Sequence, residues 1–435
     1  MPQNRQSQSE DLFRNKSTRD TSYCIKPLYF REIAIYDLNG KNLVTRMSHK
    51  RIFPAAWFLG ILAGFLLPIG CERRLPENAV KQLEQELSDS AKKTLRSDAV
   101  PTKGVSTSLV TSIEQKLQSR IAKVLESNLN DRLLSGNTNA AWQIMHGVIA
   151  YGDKLPLEMD GKQLNTLDFL LNGGIVNGWE LAWGDALPST GRTGLKARLE
   201  PGSYIGQGHV DQWLAILAQV DVPLTRKVEA RGKEFTILDW ARQAQWDVSD
   251  NPVLEYSWTM IALTRYFPDE QSWTAKDGKI WTFEPLAAFE AKQDLGESPC
   301  GGMHRLMGLA HAVQFRKRHG GDINGGWKLA DEKLQDSIEK IRRFQNRDGS
   351  FSTNHTQRPG TSADLSSMIS STGHTVEFLS FALPLEQLSD AWLVQAVDRL
   401  CVLLEAAKNA DLDCGGLYHA LNGLKLYYSR RYKPN

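Results

Sequence analysis

The sequence predicts an all-α fold: about six helical hairpins, with inner and outer helices, closed into an α/α toroid over residues 105–435. Three observations lead there. From Ser106 onward the apolar residues recur at helical spacing, and alternating β-branched runs are scarce. Short segments of the chain match one another. The helices also divide into two kinds, one poor in charge all round and one with a clear solvent face.

The internal matches come in three families. Gly208-His209-Val-Asp-Gln-Trp213-Leu214-Ala215 pairs with Gly373-His374-Thr-Val-Glu-Phe378-Leu379-Ser380. Cys300-Gly-Gly-Met-His304 pairs with Cys414-Gly-Gly-Leu-Tyr-His419, with one residue inserted. Gly161-Lys-Gln-Leu-Asn-Thr166-Leu167-Asp168 pairs with Gly232-Lys-Glu-Phe-Thr236-Ile-Leu238-Asp239, and Gly278-Lys-Ile-Trp-Thr282 is a weaker copy. These alternate along the chain, so a Gly-rich turn opens one helix and a polar turn opens the next. Inner helices are expected to begin near Trp142, His209, Tyr256, Met303, His374 and Leu417. Outer helices are expected near 112–135, 164–172, 235–246, 283–294, 329–346 and 387–408. A linear solenoid would use the same hairpins. Closure is favoured because Ile261 to Thr264, Leu306 to Ala310 and Phe378 to Leu383 read as buried on most sides, while Asp331 to Phe344 keeps a charged face.

Ahead of this domain the chain changes character. Residues 1–46 are polar and aperiodic, and read as a disordered or non-native extension, with Met47 a better start. Met47-Ser-His-Lys-Arg51 is followed by Ile52 to Gly70 without a charge, then by Cys71. A basic start and an apolar stretch make residues 47–71 a secretory signal. A plain transmembrane anchor is the competing reading. Residues 72–104, rich in Glu, Lys, Gln and Ser, read as a polar tether containing a helix.

Leu67-Pro68-Ile69-Gly70-Cys71 resembles a bacterial lipobox, with Leu67 one step further from the cysteine than the usual pattern. The resemblance implies lipidation of Cys71 and an exported protein held at the cell envelope, periplasmic or on the outer face, by a lipid anchor in the membrane. Gln345-Asn-Arg-Asp348-Gly349-Ser350-Phe351 resembles the Gln-x-x-Asp-Gly-Ser-Trp repeat of the terpenoid cyclase and protein prenyltransferase toroids. That resemblance implies the same fold over about residues 105–435, with the Gln at a helix end and the Asp-Gly turn leading to the next inner helix. The acidic motifs of the cyclases are absent, and so are the Asp and Cys of the prenyltransferase zinc site at their usual spacing.

Composition excludes several uses. A net charge of +2 gives no footprint for nucleic acid. Five Cys are too few for a disulfide scaffold, and 12 Trp point to a large core or an aromatic cleft. There is no Walker loop, paired Cys-x-x-Cys module or nucleophile elbow.

In a closed ring the inner-helix N-termini gather at one end. His146, His209, His304, His374 and His419 would then lie near comparable points, with Asp211, Arg305, Glu377 and Tyr418 beside them. His titrates near neutrality and suits acid–base work, so His209, Asp211, His374 and Glu377 are the catalytic candidates. His146, His304, Arg305, Tyr418 and His419 are the candidates for binding at the cavity mouth. A repeated His also serves simply to bond the neighbouring hairpin. Cys300 with His304, and Cys414 with His419, are the metal candidates, and zinc is the cofactor such donors suit. In an oxidising compartment Cys300 and Cys414 could close a disulfide instead, and Cys401 reads as a buried thiol. Two Trp-rich stretches, Asn177 to Asp185 and Trp273 to Trp281, could line a sugar groove with Glu180, Asp185 and Asp211 as acids.

Three functions remain open at this point. The first is a tethered protein holding a small-molecule, glycan or protein ligand in its cavity. The second is a carbohydrate-active hydrolase or lyase. The third is a degenerate cyclase or prenyltransferase relative. The first does not require an enzyme.

Overall fold

The computed structural model describes residues 107–251 and 255–433. The expected extension, signal, tether and lipidated Cys71 lie outside the described residues. Among the described residues no helix is long and apolar enough to cross a membrane.

Twelve α-helices carry the fold among the described residues. Six are built on the pattern expected of inner helices: α2 (Ala141–Tyr151), α4 (Gln212–Gln219), α6 (Ser257–Tyr266), α8 (Met303–Arg318), α10 (Leu365–Ala382) and α12 (Cys414–Tyr432). Six alternate with them: α1 (Thr107–Asp131), α3 (Thr166–Leu171), α5 (Ile237–Asp247), α7 (Phe283–Lys292), α9 (Gly325–Arg343) and α11 (Ala391–Ala406). Each helix of the first set packs on the next, α2 on α4 and so on to α10 on α12, and α12 packs back on α2. The second set lies against the first, and α1 also meets α11, where Arg120 bonds Asp398 at 2.8 Å and Glu405 at 2.5 Å.

Burial follows the two sequence patterns. In α8 every residue from Met303 to Val313 is buried, which a charge-poor helix tolerates on all sides. In α9 only Trp327, Ala330, Leu334, Ser337 and Ile341 are buried, spaced three and four apart on one face.

The all-α expectation needs correcting, because four small sheets stand among the described helices. One holds β1 (Leu134–Ser135), β2 (Pro156–Met159) and β3 (Lys162–Asn165). The others are the hairpins β4 (Leu181–Leu187) with β5 (Arg192–Ala197), β6 (Lys227–Ala230) with β7 (Lys233–Thr236), and β8 (Ser272–Thr274) with β9 (Ile280–Thr282). Three of these hairpins are the third repeat family. Asp160-Gly161 and Arg231-Gly232 make two-residue turns with φ of 52° and 75°, and of 50° and 74°, the positive pair that suits the twist of a hairpin. The second strand then delivers a capping residue to an outer helix. Asn165 accepts from the Asp168 N–H at 2.8 Å, and Thr236 forms a capping box with Asp239.

Two matched segments prove to sit in unlike places. Gly373-His374 lies inside α10, which starts at Leu365 because the Asp364 carboxylate accepts from the N–H groups of Ser366 and Ser367. His209 lies before α4, which starts only after Asp211 at φ 58°. Cys414-Gly-Gly is the first turn of α12, capped by Asp413 on the Gly416 N–H at 3.0 Å. Cys300-Gly-Gly is a left-handed turn with φ of 52°, 60° and 76°.

Candidate metal centre

The five histidines expected at comparable points of the hairpins come together. The ring centroids of His374 and His419 lie 4.3 Å apart, those of His304 and His419 5.2 Å, and those of His304 and His374 5.5 Å. His146 flanks the group 5.4 Å from His419, and His209 flanks it 5.5 Å from His304. One close approach makes this possible. A Cβ on Gly373 would stand 2.4 Å from Ala420 Cβ, so only glycine lets α10 and α12 meet where they carry His374 and His419.

Four of the imidazoles are oriented through Nδ1. His374 Nδ1 donates to the Ser370 carbonyl at 2.8 Å, and His146 Nδ1 to the Trp142 carbonyl at 2.6 Å. A carbonyl only accepts, so the proton is on Nδ1 and Nε2 keeps its lone pair. His419 Nδ1 faces Glu377 Oε2 at 2.7 Å, and His209 Nδ1 faces Glu255 Oε2 at 2.7 Å. Glu377 also accepts from Asn422 Nδ2 at 2.6 Å. Carbonyls and carboxylates holding Nδ1 are what metal-ligating histidines use to fix their tautomer.

The Nε2 atoms of His374 and His419, and both ring nitrogens of His304, are buried without a hydrogen-bond partner among the described residues. Each such atom costs about 1–3 kcal/mol. Burial pulls His146 down to about 4, and pulls His304 and His419 well below the usual imidazole range, with the neighbouring imidazoles adding to the latter two. Burial also lowers His374. These four rings, His146, His304, His374 and His419, are therefore neutral at pH 7, with lone pairs ready for a cation. Burial raises Glu377 to about 7, against the opposing pull of His374 and Asn422.

Donor atoms of Cys300, His304 and His374 all lie within 4.8 Å of one another. Cys300, exposed, forms the outer edge of this trio on its left-handed turn. A tetrahedral ion sets such donors roughly 3.5 Å apart, so about an ångström of closure would bring them to bonding distance.

The remaining expected residues fall elsewhere. Cys414 lines a neighbouring lobe with Trp142, Gln143 and Tyr204, and both Cys300 and Cys414 are free thiols. Asp211 accepts from Thr259 at 2.7 Å, and burial raises it to about 6. Arg305 is buried against Glu290 at 2.5 Å and donates to Ser298. Tyr418 is buried edge-on to Tyr151. Trp179 stacks on the fully buried Trp213, Glu180 pairs with Arg198, and Asp185 pairs with Lys196, while Trp183 is 53% exposed.

Beneath the histidines, Ile149, Ile261, Met303 and Met307 leave a cavity of only about 10 Å³, room for one water at most. The larger spaces are lined by other residues. An open polar bowl of about 560 Å³ is lined by Ser366, Ser370, His355 and Asp413, and a second lobe of about 300 Å³ shares Asp413. His355 and Glu255 were not singled out by the repeats. His355 follows the Asp348-Gly349 turn at φ 49°, and its ring lies where any side chain at Gly301 would have to go.

Compared with family models, with curated proteins and with solved structures, the chain matches none.

Proposed function

We propose that this chain is an α/α toroid that holds a divalent transition metal ion of the zinc class at the mouth of its ring. Cys300, His304 and His374 are the ligands. The observation that carries this reading is the set of bare, buried imidazole nitrogens beside a thiol. Buried polar atoms are almost always paired, and an ion is the partner that neutral imidazole and thiolate donors suit. Three protein donors leave a fourth tetrahedral position for an exogenous molecule, the arrangement of ions that act on a ligand and do not merely staple a fold.

The toroid reading is supported by the closed circuit of six helices and the six laid against them. It is further supported by Gln345, whose side chain donates to the Gly349 carbonyl at 2.9 Å and the Trp392 carbonyl at 2.8 Å, tying a helix end to its Asp-Gly turn and to α11. Residues 47–71 supply the rest of the proposal: export, a lipid on Cys71, and a place at the cell envelope.

The test is competition for zinc against a chelating dye, using the full chain under reducing conditions. About one equivalent should bind, and Cys300→Ser, His304→Ala or His374→Ala should each weaken binding by about tenfold or more. Wild-type protein that takes up no zinc, or variants that bind as wild type does, would sink the reading.

A further inference from the structure

Tyr204 has an unusual placement for a large aromatic residue. It is 65% exposed, and its backbone sits at φ 55°, a region that costs a bulky side chain strain. Its ring meets Trp142 edge to face at 4.9 Å. Trp142 in turn lies 4.2 Å from the His146 ring, so the aromatic pair is built onto the histidine centre and stands at the rim of the bowl.

The bowl's polar surface complements that rim. Neither lobe is lined by a lysine or arginine. Asp411 and Asp413 make it acidic, which disfavours phosphate and other anions. Asp413 commits one oxygen to the Gly416 N–H, and its other oxygen has no protein donor among the described residues. The hydroxyls of Ser366 and Ser370 likewise have no protein partner among the described residues. A ligand suited to this surface has an apolar face for the aromatics and several hydroxyl groups at its edges. It carries no negative charge.

We propose that the bowl is a saccharide-binding site. A neutral sugar ring stacks on Trp142 and Tyr204, its hydroxyls donate to Asp413, and they exchange hydrogen bonds with Ser366 and Ser370. The site meets the histidine centre only through Trp142 beside His146, and the stacking and the hydroxyl contacts need no ion. Both lobes are of the size that encloses small ligands.

Calorimetric titration of the full chain with maltotriose, cellotriose and chitotriose tests this, each with and without prior chelator treatment. At least one trisaccharide should bind, with and without chelator, and inorganic phosphate should not displace it. Tyr204→Ala should weaken binding by about tenfold or more, while Tyr204→Phe, which keeps the stacking face, should stay within about twofold. Tyr204 is on the surface, so both variants should keep the wild-type circular dichroism spectrum. No binding by any of the three sugars overturns the proposal, as does displacement by phosphate or unchanged binding in Tyr204→Ala. Sugar binding that survives in a chain unable to take up zinc would sink the metal reading alone.

Discussion

Replacing Gly373 by alanine would test how the histidine centre is assembled. Its new Cβ would stand 2.4 Å from Ala420 Cβ and 2.6 Å from Ala420 Cα, whereas ordinary contact begins at 3.4 Å. Both obstacles belong to the neighbouring helix at or next to its backbone, so no side chain can swing aside. α10 and α12 must part by about 1 Å. Overpacking of this kind costs about 1–3 kcal/mol, and the better helix propensity of alanine returns at most about 1 kcal/mol. The expected net is a loss of about 1–2 kcal/mol, or roughly 2–6 °C in Tm. The same displacement moves His374 away from His304 and Cys300, so zinc affinity should fall by about tenfold. Gly161→Ala is the control. Its φ of 75° strains an alanine by about 1 kcal/mol, yet nothing lies within 4 Å of the added methyl and it sits in a distant hairpin. Urea denaturation and zinc competition on both variants make the comparison. The reasoning fails if Gly373→Ala raises Tm, or if its zinc affinity matches that of Gly161→Ala.

The metal-free protein should lose stability as pH falls from about 6.5 to 4. The folded-state value of His146 lies near 4, below the unfolded 6.5, so its contribution is complete above 6.5 and declines by about 3 kcal/mol on the way down, as urea denaturation at pH 7 and pH 5 would show in part. Glu377 has the opposite sign: raised to about 7 from an unfolded 4.5, it adds stability as pH falls through that window and offsets about one histidine. Glu377→Gln removes this offset, so the variant's stability should fall more steeply with acid than the wild type's; an equal or shallower slope would count against the assignment. Arg305→Ala leaves the Glu290 carboxylate buried without its cation, and denaturation should register a loss of about 3–5 kcal/mol.

The helical part of the fold is legible in the sequence because its signals are long. α9 shows its buried face in every turn, and α8 shows its burial by lacking charge over Leu306 to Val313. The strands escape for the opposite reason. Lys162-Gln-Leu-Asn165 and Lys233-Glu-Phe-Thr236 are four residues long and mostly polar, and only the Gly after a positive-φ residue betrays the turn. Repetition brought five histidines into view, but it overstated their equivalence. Gly208-His209 precedes a helix and Gly373-His374 lies within one, since the left-handed backbone at Asp211 delays one start and the Asp364 cap sets the other earlier, whatever the matched motif. Cys300 and Cys414 differ for a similar reason. Asp413 caps a helix over one Cys-Gly-Gly, while the other stays in the left-handed region until Met303. Glu255 and His355 have no copies elsewhere in the chain. Their places depend on loops that bring them to the histidines from 46 residues away in the first case, and against Gly301 in the second.

A crystal of the full chain grown with zinc and measured at the zinc absorption edge bears most directly on the central claim. The account predicts one strong anomalous peak bonded to Cys300 Sγ and to nitrogens of His304 and His374. Well-ordered histidines with no peak among them, or a peak held by other residues, would contradict it.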